Sequence, residues 1–146
     1  MKTIKIYLVF KDNPTLDTTE VYYVGKSKKA AKKTFVDKAM YFFSKAYADD
    51  VKIRFLRVAL SPFDYAFLAQ NRNNQYCQTE ITYTVNNIWY GTEWDEIGMI
   101  NNKTFELDFR PFYYRKAGQI PEGFSLCSES DDKVNYWLKK YLKRNF

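Results

Sequence analysis

Residues 20–48, EVYYVGKSKKAAKKTFVDKAMYFFSKAYA, carry a strand signal, a turn and a helix signal in direct succession. Val21-Tyr22-Tyr23-Val24 is β-branched and aromatic, Gly25 interrupts it, and Ser27 is a good N-cap for a helix beginning at the next residue. Ala31, Phe35, Ala39, Phe42, Phe43 and Ala46 then gather on one helical face. This is expected to be the longest helix of the chain, packed on a sheet by that face, with Thr34, Tyr41 and Lys45 outward and Asp49-Asp50 closing it. Five lysines, Lys26, Lys28, Lys29, Lys32 and Lys33, fall within residues 26–33, in the turn and the first helical turns. Cations at that end oppose the helix macrodipole, each typically costing ~0.3–1 kcal/mol. A glycine turn, free helix N–H groups and several ammonium groups together suit an anion. The cluster therefore points to phosphates of DNA or RNA, or to an acidic protein surface.

Outward from that stretch, Ile4, Ile6 and Leu8 alternate with Lys5 and Tyr7, so the N-terminal run is expected as a half-buried strand pairing antiparallel with Val21–Val24. Val51–Leu60 is expected as a further strand, Val51, Ile53 and Phe55 inward and Lys52 and Arg54 outward. Arg57 falls on the inward side, which calls for a bulge or for the strand to end there. Ser61-Pro62-Phe63-Asp64 starts a short helix, which residues 71–74, NRNN, stop. The alternation of Cys77, Thr79, Ile81, Tyr83 and Val85 predicts a strand, as do Ile88-Trp89-Tyr90 and Phe105, Leu107 and Phe109. Residues 116–130 are loop-like, and Ser130 is expected to cap a helix from Asp131 to Arg144, with Val134, Trp137, Leu138, Tyr141 and Leu142 on its inner face. The fold class is α+β, a single domain of residues 1–146. It has an antiparallel or mixed sheet, one long helix on a face, a short second helix and a C-terminal amphipathic helix.

Composition narrows the chemistry. At 146 residues the chain can bury about two-thirds of its unfolded surface. It has no histidine and two cysteines, Cys77 and Cys127, so His-dependent triads and His- or four-Cys zinc sites are excluded. Nothing approaches the ~20 apolar residues of a membrane span. With Lys5 inside its apolar run, the N-terminus is expected to be a strand rather than a signal peptide. A cytoplasmic setting with free thiols is the expectation, that of a bacterial host if the chain is phage-encoded. Net charge is +6 and uneven: residues 1–60 hold 13 Lys/Arg against 6 Asp/Glu, whereas residues 61–130 hold 5 against 9. Lys, Asn, Tyr, Phe and Ile are also the residues of A/T-rich codons, as in low-GC bacteria and their phages.

Three motifs invite an enzymatic reading. Gly25-Lys26-Ser27 matches the end of a P-loop, but the loop's first glycine would fall on Glu20, and the intervening residues are strand-like. Ile6-Tyr7 and Tyr23-Val24-Gly25-Lys26-Ser27 resemble the hairpin of GIY-YIG nucleases. However, Lys5 replaces that family's first glycine, and Lys32 and Lys33 stand where it expects an arginine. Its motif histidine has no counterpart, so the resemblance does not imply cleavage. Glu80, Glu106 and Asp108, with Glu93, Asp95 and Glu96 near Trp94, are the carboxylates a metal-dependent nuclease would use. The same alternation is also what the wet face of an antiparallel strand looks like.

The expectation is a non-enzymatic binding protein without cofactor or metal. Its best-fitting role is a small phage or mobile-element inhibitor of a host nucleic-acid-handling or defence complex, acting in an anti-CRISPR-like mode. The partner would be an acidic protein surface, a ribonucleoprotein or a nucleic acid, and not a membrane. The binding residues are Lys26, Lys28, Lys29, Lys32 and Lys33, joined by the aromatic-basic run Tyr113, Tyr114, Arg115 and Lys116. Of Tyr22, Tyr23, Trp89, Tyr90, Trp94 and Phe112, most are expected in the core or snorkelling, and those left exposed would serve base stacking or interface anchoring. The alternatives are a direct DNA/RNA-binding accessory protein and a metal-dependent nuclease with a carboxylate site.

Overall fold

The computed structural model describes residues 3–13, 18–44, 51–90, 98–109 and 120–145. The chain is α+β and divides into two compact units, Met1–Asn86 and Asn87–Phe146, with two antiparallel three-stranded sheets and four α-helices among the described residues. None of these helices is long and apolar enough to cross a membrane.

The first unit is built on strands β1 (Ile4–Asn13), β2 (Thr18–Gly25) and β3 (Lys52–Leu60) in the order β2-β1-β3. The alternation in β1 settles its two faces. Ile6, Leu8 and Phe10, with Val21 and Leu60 beside them, are buried on one face, where helix α2 (Pro62–Asn71) packs on β2 and β3. The other face belongs to helix α1 (Lys28–Phe43). The register slips between Val9 and Phe10, which pair with Tyr23 and Val21, so Tyr22 is the extra residue of a bulge in β2. That bulge lets Val21 enter the core while Tyr22 and Tyr23 both serve the α1 side: Tyr22 stacks on Phe42 at 6.5 Å, and Tyr23 pairs with Val9. The irregularity expected at Arg57 is absent. β3 runs in register to Leu60, and Arg57 sits opposite Tyr7 with its side chain exposed.

α1 begins where the serine predicts. Ser27 Oγ accepts from Ala30 N at 3.1 Å, and Ser27 N donates to Tyr23 Oη at 3.0 Å. Tyr23 folds back over Gly25 to make that bond, and a Cβ on Gly25 would lie 2.8 Å from the Tyr23 oxygen. Ser27→Ala is therefore expected to cost ~1 kcal/mol, measured by urea unfolding of the whole chain. Ala31, Phe35, Lys38 and Phe42 form the inner line of α1: Phe35 meets Phe55 edge-on at 5.9 Å, and Lys38 Nζ lies 4.5 Å from the Tyr22 ring centre. Phe43, expected inside with Phe42, is 83% exposed, because neighbouring helical residues point about 100° apart. Lys45, Ala46, Asp49 and Asp50 lie outside the described residues.

α2 starts as its residues predict, Ser61 Oγ accepting from Asp64 N at 3.1 Å, with Pro62 in the first turn. The strand expected from Cys77 to Val85 and again at Ile88–Tyr90 is instead one helix, α3 (Gln78–Tyr90), entered through a 3-10 turn at Gln75–Cys77. Asn74, taken from sequence as part of a helix stop, is also a helix start: its Oδ1 accepts from Tyr76 N at 2.9 Å. Cys77, Ile81, Thr84 and Val85 are buried together at helical spacing, whereas Thr79 and Tyr83 of the supposed strand face are exposed. Thr84 Oγ1 donates to Glu80 O at 2.8 Å, so its hydroxyl is satisfied inside the helix. Thr82 Oγ1 accepts from Thr19 N at 3.0 Å, tying α3 to β2.

In the second unit, β4 (Gly98–Asn101) lies between β5 (Leu107–Asp108) and β6 (Phe124–Cys127), joined by helix α4 (Asp132–Asn145). The strand expected through Phe105, Leu107 and Phe109 shrinks to two residues, because residues 102–104 are a turn held by Asn101 Oδ1 and Phe105 takes a left-handed φ of 61°. Gly98 has a φ of 154°, and a Cβ there would sit 2.5 Å from Asp108 O, so only glycine lets β4 approach β5 this closely. The cap of α4 is Asp131, not Ser130: Asp131 Oδ1 accepts from Lys133 N at 2.8 Å. Val134 and Leu138 are buried on the expected inner face, and Trp137 packs edge-on against Phe109 and stacks on Tyr141 at 5.1 Å.

Candidate interaction surface on the first helix

Lys28 and Lys29 are the first two residues of α1, and Lys32 and Lys33 occupy its second turn; all four are exposed. Among the described residues none of the four makes an ion pair. Each pair four residues apart, Lys28–Lys32 and Lys29–Lys33, places like charges on neighbouring turns, an arrangement that destabilises a helix by ~0.2–0.5 kcal/mol. α1 has no acid in its first turn and no base in its last, whereas α2, α3 and α4 begin with Asp64, Glu80 and Asp132, and α4 ends with Lys143 and Arg144.

The backbone at this terminus differs from the expected open anion cradle. Ser27 N is taken by Tyr23 and Ala30 N by Ser27 Oγ, so two of the amides that would hold a bound anion are already engaged. What remains is a set of ammonium groups on long side chains along a helix, suited to an extended anionic surface more than to one enclosed phosphate. Lys26 is exposed in the turn just before them. Tyr113, Tyr114, Arg115 and Lys116 lie outside the described residues, as do Phe112 and the Glu93–Glu96 cluster with Trp94. Trp89 and Tyr90 are described by their helical backbone alone.

Sequence periodicity missed the opposite, outer side of α1. Val36, Met40 and Phe43 are 55%, 67% and 83% exposed, and they continue the line that starts with Lys29 and Lys33. The signal was present as spacing, but Phe43 was assigned to the inner face and Val36 and Met40 to neither. Beneath α1, Lys11 Nζ meets Glu20 Oε2 at 3.0 Å and lies 5.4 Å from the Phe42 ring centre. Burial first, and then the neighbouring Glu20 carboxylate that its hydroxyl contacts at 3.3 Å, push the Tyr22 phenol well above its ordinary value. Tyr22 is thus a neutral packing residue, and Tyr23 has a structural bond of its own.

The three carboxylates considered for a metal are not brought together as a strand face. Glu80 is on α3, buried to 3% exposure, and among the described residues neither of its oxygens has a hydrogen-bond partner. Burial pushes its carboxyl above the ordinary range, and its own backbone amide offsets part of that. Glu106 is exposed at the β4–β5 turn, and Asp108 is half-buried in β5. Among the described residues no three His, Cys, Asp or Glu side chains are grouped to hold a metal ion. Both cysteines are buried free thiols, and burial pushes that of Cys127 up to about 12, far from a reactive thiolate.

The second unit holds a cationic-aromatic ledge that the sequence did not announce. Phe105 meets Tyr136 edge-on at 5.5 Å, Lys133 Nζ lies 5.6 Å from the Phe105 ring centre, and Lys140 Nζ lies 4.5 Å from that of Tyr136. Comparison with known proteins finds no matching family model, no matching curated protein and no matching solved structure.

Proposed function

We propose that this chain is a non-enzymatic binding protein that presents the N-terminal half of α1 to an acidic protein surface. The observation that carries the reading is the placement of Lys28, Lys29, Lys32 and Lys33: exposed, without ion pairs among the described residues, and at the helix end where they cost stability. Such a face complements an acidic patch, and it repels the basic groove with which a nucleic-acid-binding protein holds its own ligand. As an inhibitor of a nucleic-acid-handling or defence complex, whether phage-encoded or not, it would act on an acidic surface of that complex rather than fill its groove. The test is fluorescence anisotropy of a labelled poly-glutamate peptide at rising salt. Affinity falls with salt and is lost in Lys28→Glu/Lys29→Glu/Lys32→Glu/Lys33→Glu; affinity indifferent to both would sink the proposal.

One observation favours direct nucleic-acid binding as a second reading. The Lys133–Phe105–Tyr136–Lys140 ledge combines cations with a Tyr136 ring 44% exposed, the two elements of single-strand recognition. Tight, salt-sensitive binding of single-stranded oligonucleotides, weakened by Tyr136→Ala and not by the α1 reversals, would select it. Cleavage of those oligonucleotides in magnesium or manganese, lost in Glu106→Gln or Asp108→Asn, would overturn the non-enzymatic part of the proposal.

A further inference from the structure

α1 has two faces that do different work. Its inner line, Ala31, Phe35, Lys38 and Phe42, lies on the sheet through the Phe55 and Tyr22 contacts. Its outer line is Lys29, Lys33, Val36, Met40 and Phe43, all exposed. These five succeed one another at intervals of four, three, four and three residues. The mean of 3.5 is the repeat with which one helix keeps a continuous seam against another. At 1.5 Å per residue the seam runs about 21 Å, long enough for three to four turns of a second helix.

From this spacing and its charge pattern we infer that the outer seam of α1 is the docking site for an amphipathic helix of a partner protein, acidic at one end of its contact face and apolar at the other. The inference rests on the proposal that α1 faces an acidic protein, and it names the form of that protein's contact. Val36, Met40 and Phe43 supply the apolar half. A phenylalanine 83% exposed and a methionine 67% exposed gain from water exclusion only against another apolar surface. Lys29 and Lys33 on the seam, with Lys32 beside it, require acids at the matching positions, because apolar residues there would strand the ammonium groups in a dry contact. A nucleic acid would satisfy the lysines and leave the apolar half in water, which is why the seam favours a protein helix.

The experiment is selection of a displayed library of helical peptides on the immobilised full-length chain, with anisotropy measurements on the enriched peptides. The expected winners carry acids at one end and Leu, Ile or Phe at three- and four-residue spacing along the rest. Their affinity is expected to drop at least tenfold in Met40→Ser/Phe43→Ser, with the salt dependence kept. Those side chains are exposed, so the variant melts as the parent does, and the loss is one of contact. No enrichment, enrichment without that pattern, or binding indifferent to Met40→Ser/Phe43→Ser overturns the inference. If poly-glutamate binding still depends on the four lysines in that case, the helix partner falls and the acidic-surface proposal stands; if that binding is also absent, both fall.

Discussion

Reversing Lys28, Lys29, Lys32 and Lys33 to glutamate is expected to abolish binding of the proposed acidic partner while leaving the chain folded. The sharper signature comes from the double variant Lys28→Glu/Lys29→Glu, in which binding and stability move in opposite directions. Two cations leave the first turn of α1 and two acids enter it, where the partial positive charge of the unpaired amides favours them. Each new acid also stands four residues before Lys32 or Lys33, the favoured orientation for a helical ion pair, replacing a repulsion between lysines. Together these changes are expected to raise stability by roughly 1–3 kcal/mol at low salt, and by less at high salt. A urea titration at two ionic strengths, run beside the anisotropy assay, checks both. Residues kept only as solvated surface would show the stability gain with no binding loss. A double variant that weakens binding and destabilises the chain would place the lysines in the fold rather than at an interface.

Glu80→Met is expected to stabilise the first unit by ~1–2 kcal/mol at pH 7, because it replaces two buried oxygens, unpartnered among the described residues, with an apolar chain of similar length. The gain is kept below the full cost of an unsatisfied carboxylate by Glu80's position in the first turn of α3, where its charge is favoured. The direction of the shift sets the pH dependence. In the folded chain the Glu80 carboxyl holds its proton to higher pH than in the unfolded chain. Between those two values the folded state binds more protons, so this residue's contribution to stability falls as pH rises through the window and stays low above it. The advantage of Glu80→Met is therefore largest above the raised value and shrinks as pH is lowered toward the ordinary carboxylate range. Equal stability of parent and variant at pH 7, or an advantage that grows on acidification, would show that Glu80 is satisfied in solution.

The local signals of the first hairpin and helix were sufficient by themselves. Alternation in Ile4–Leu8, the Gly25 break and the Ser27 cap each act within a few residues, and the structure keeps all three. The same local logic failed between Cys77 and Tyr90. Threonine-rich alternation there fits a strand as well as Cys77, Ile81, Thr84 and Val85 fit a helix, and burial of the second set decides between them. The β4–β5 turn failed for another reason: Phe105 adopts a left-handed backbone that no propensity assigns to phenylalanine, and its ring contacts with Tyr136 and Lys133 come from another element. The Phe105–Tyr136 ledge was invisible to a linear scan for that reason, as was the polar isolation of Glu80.

On α1 the division is clearest. The amino-acid sequence alone determined that a helix starts at Ser27 and that its lysines stand at the electrostatically disfavoured end, because caps, dipole and spacing are properties of neighbouring residues. Which apolar residues face inward was decided only by tertiary structure. The bulge at Tyr22 sends two tyrosines toward α1, and Phe42 closes on one of them. A helix one residue in width at each level cannot turn Phe43 the same way. That choice leaves Val36, Met40 and Phe43 in line with Lys29 and Lys33, and it converts a basic cluster into a polarised seam.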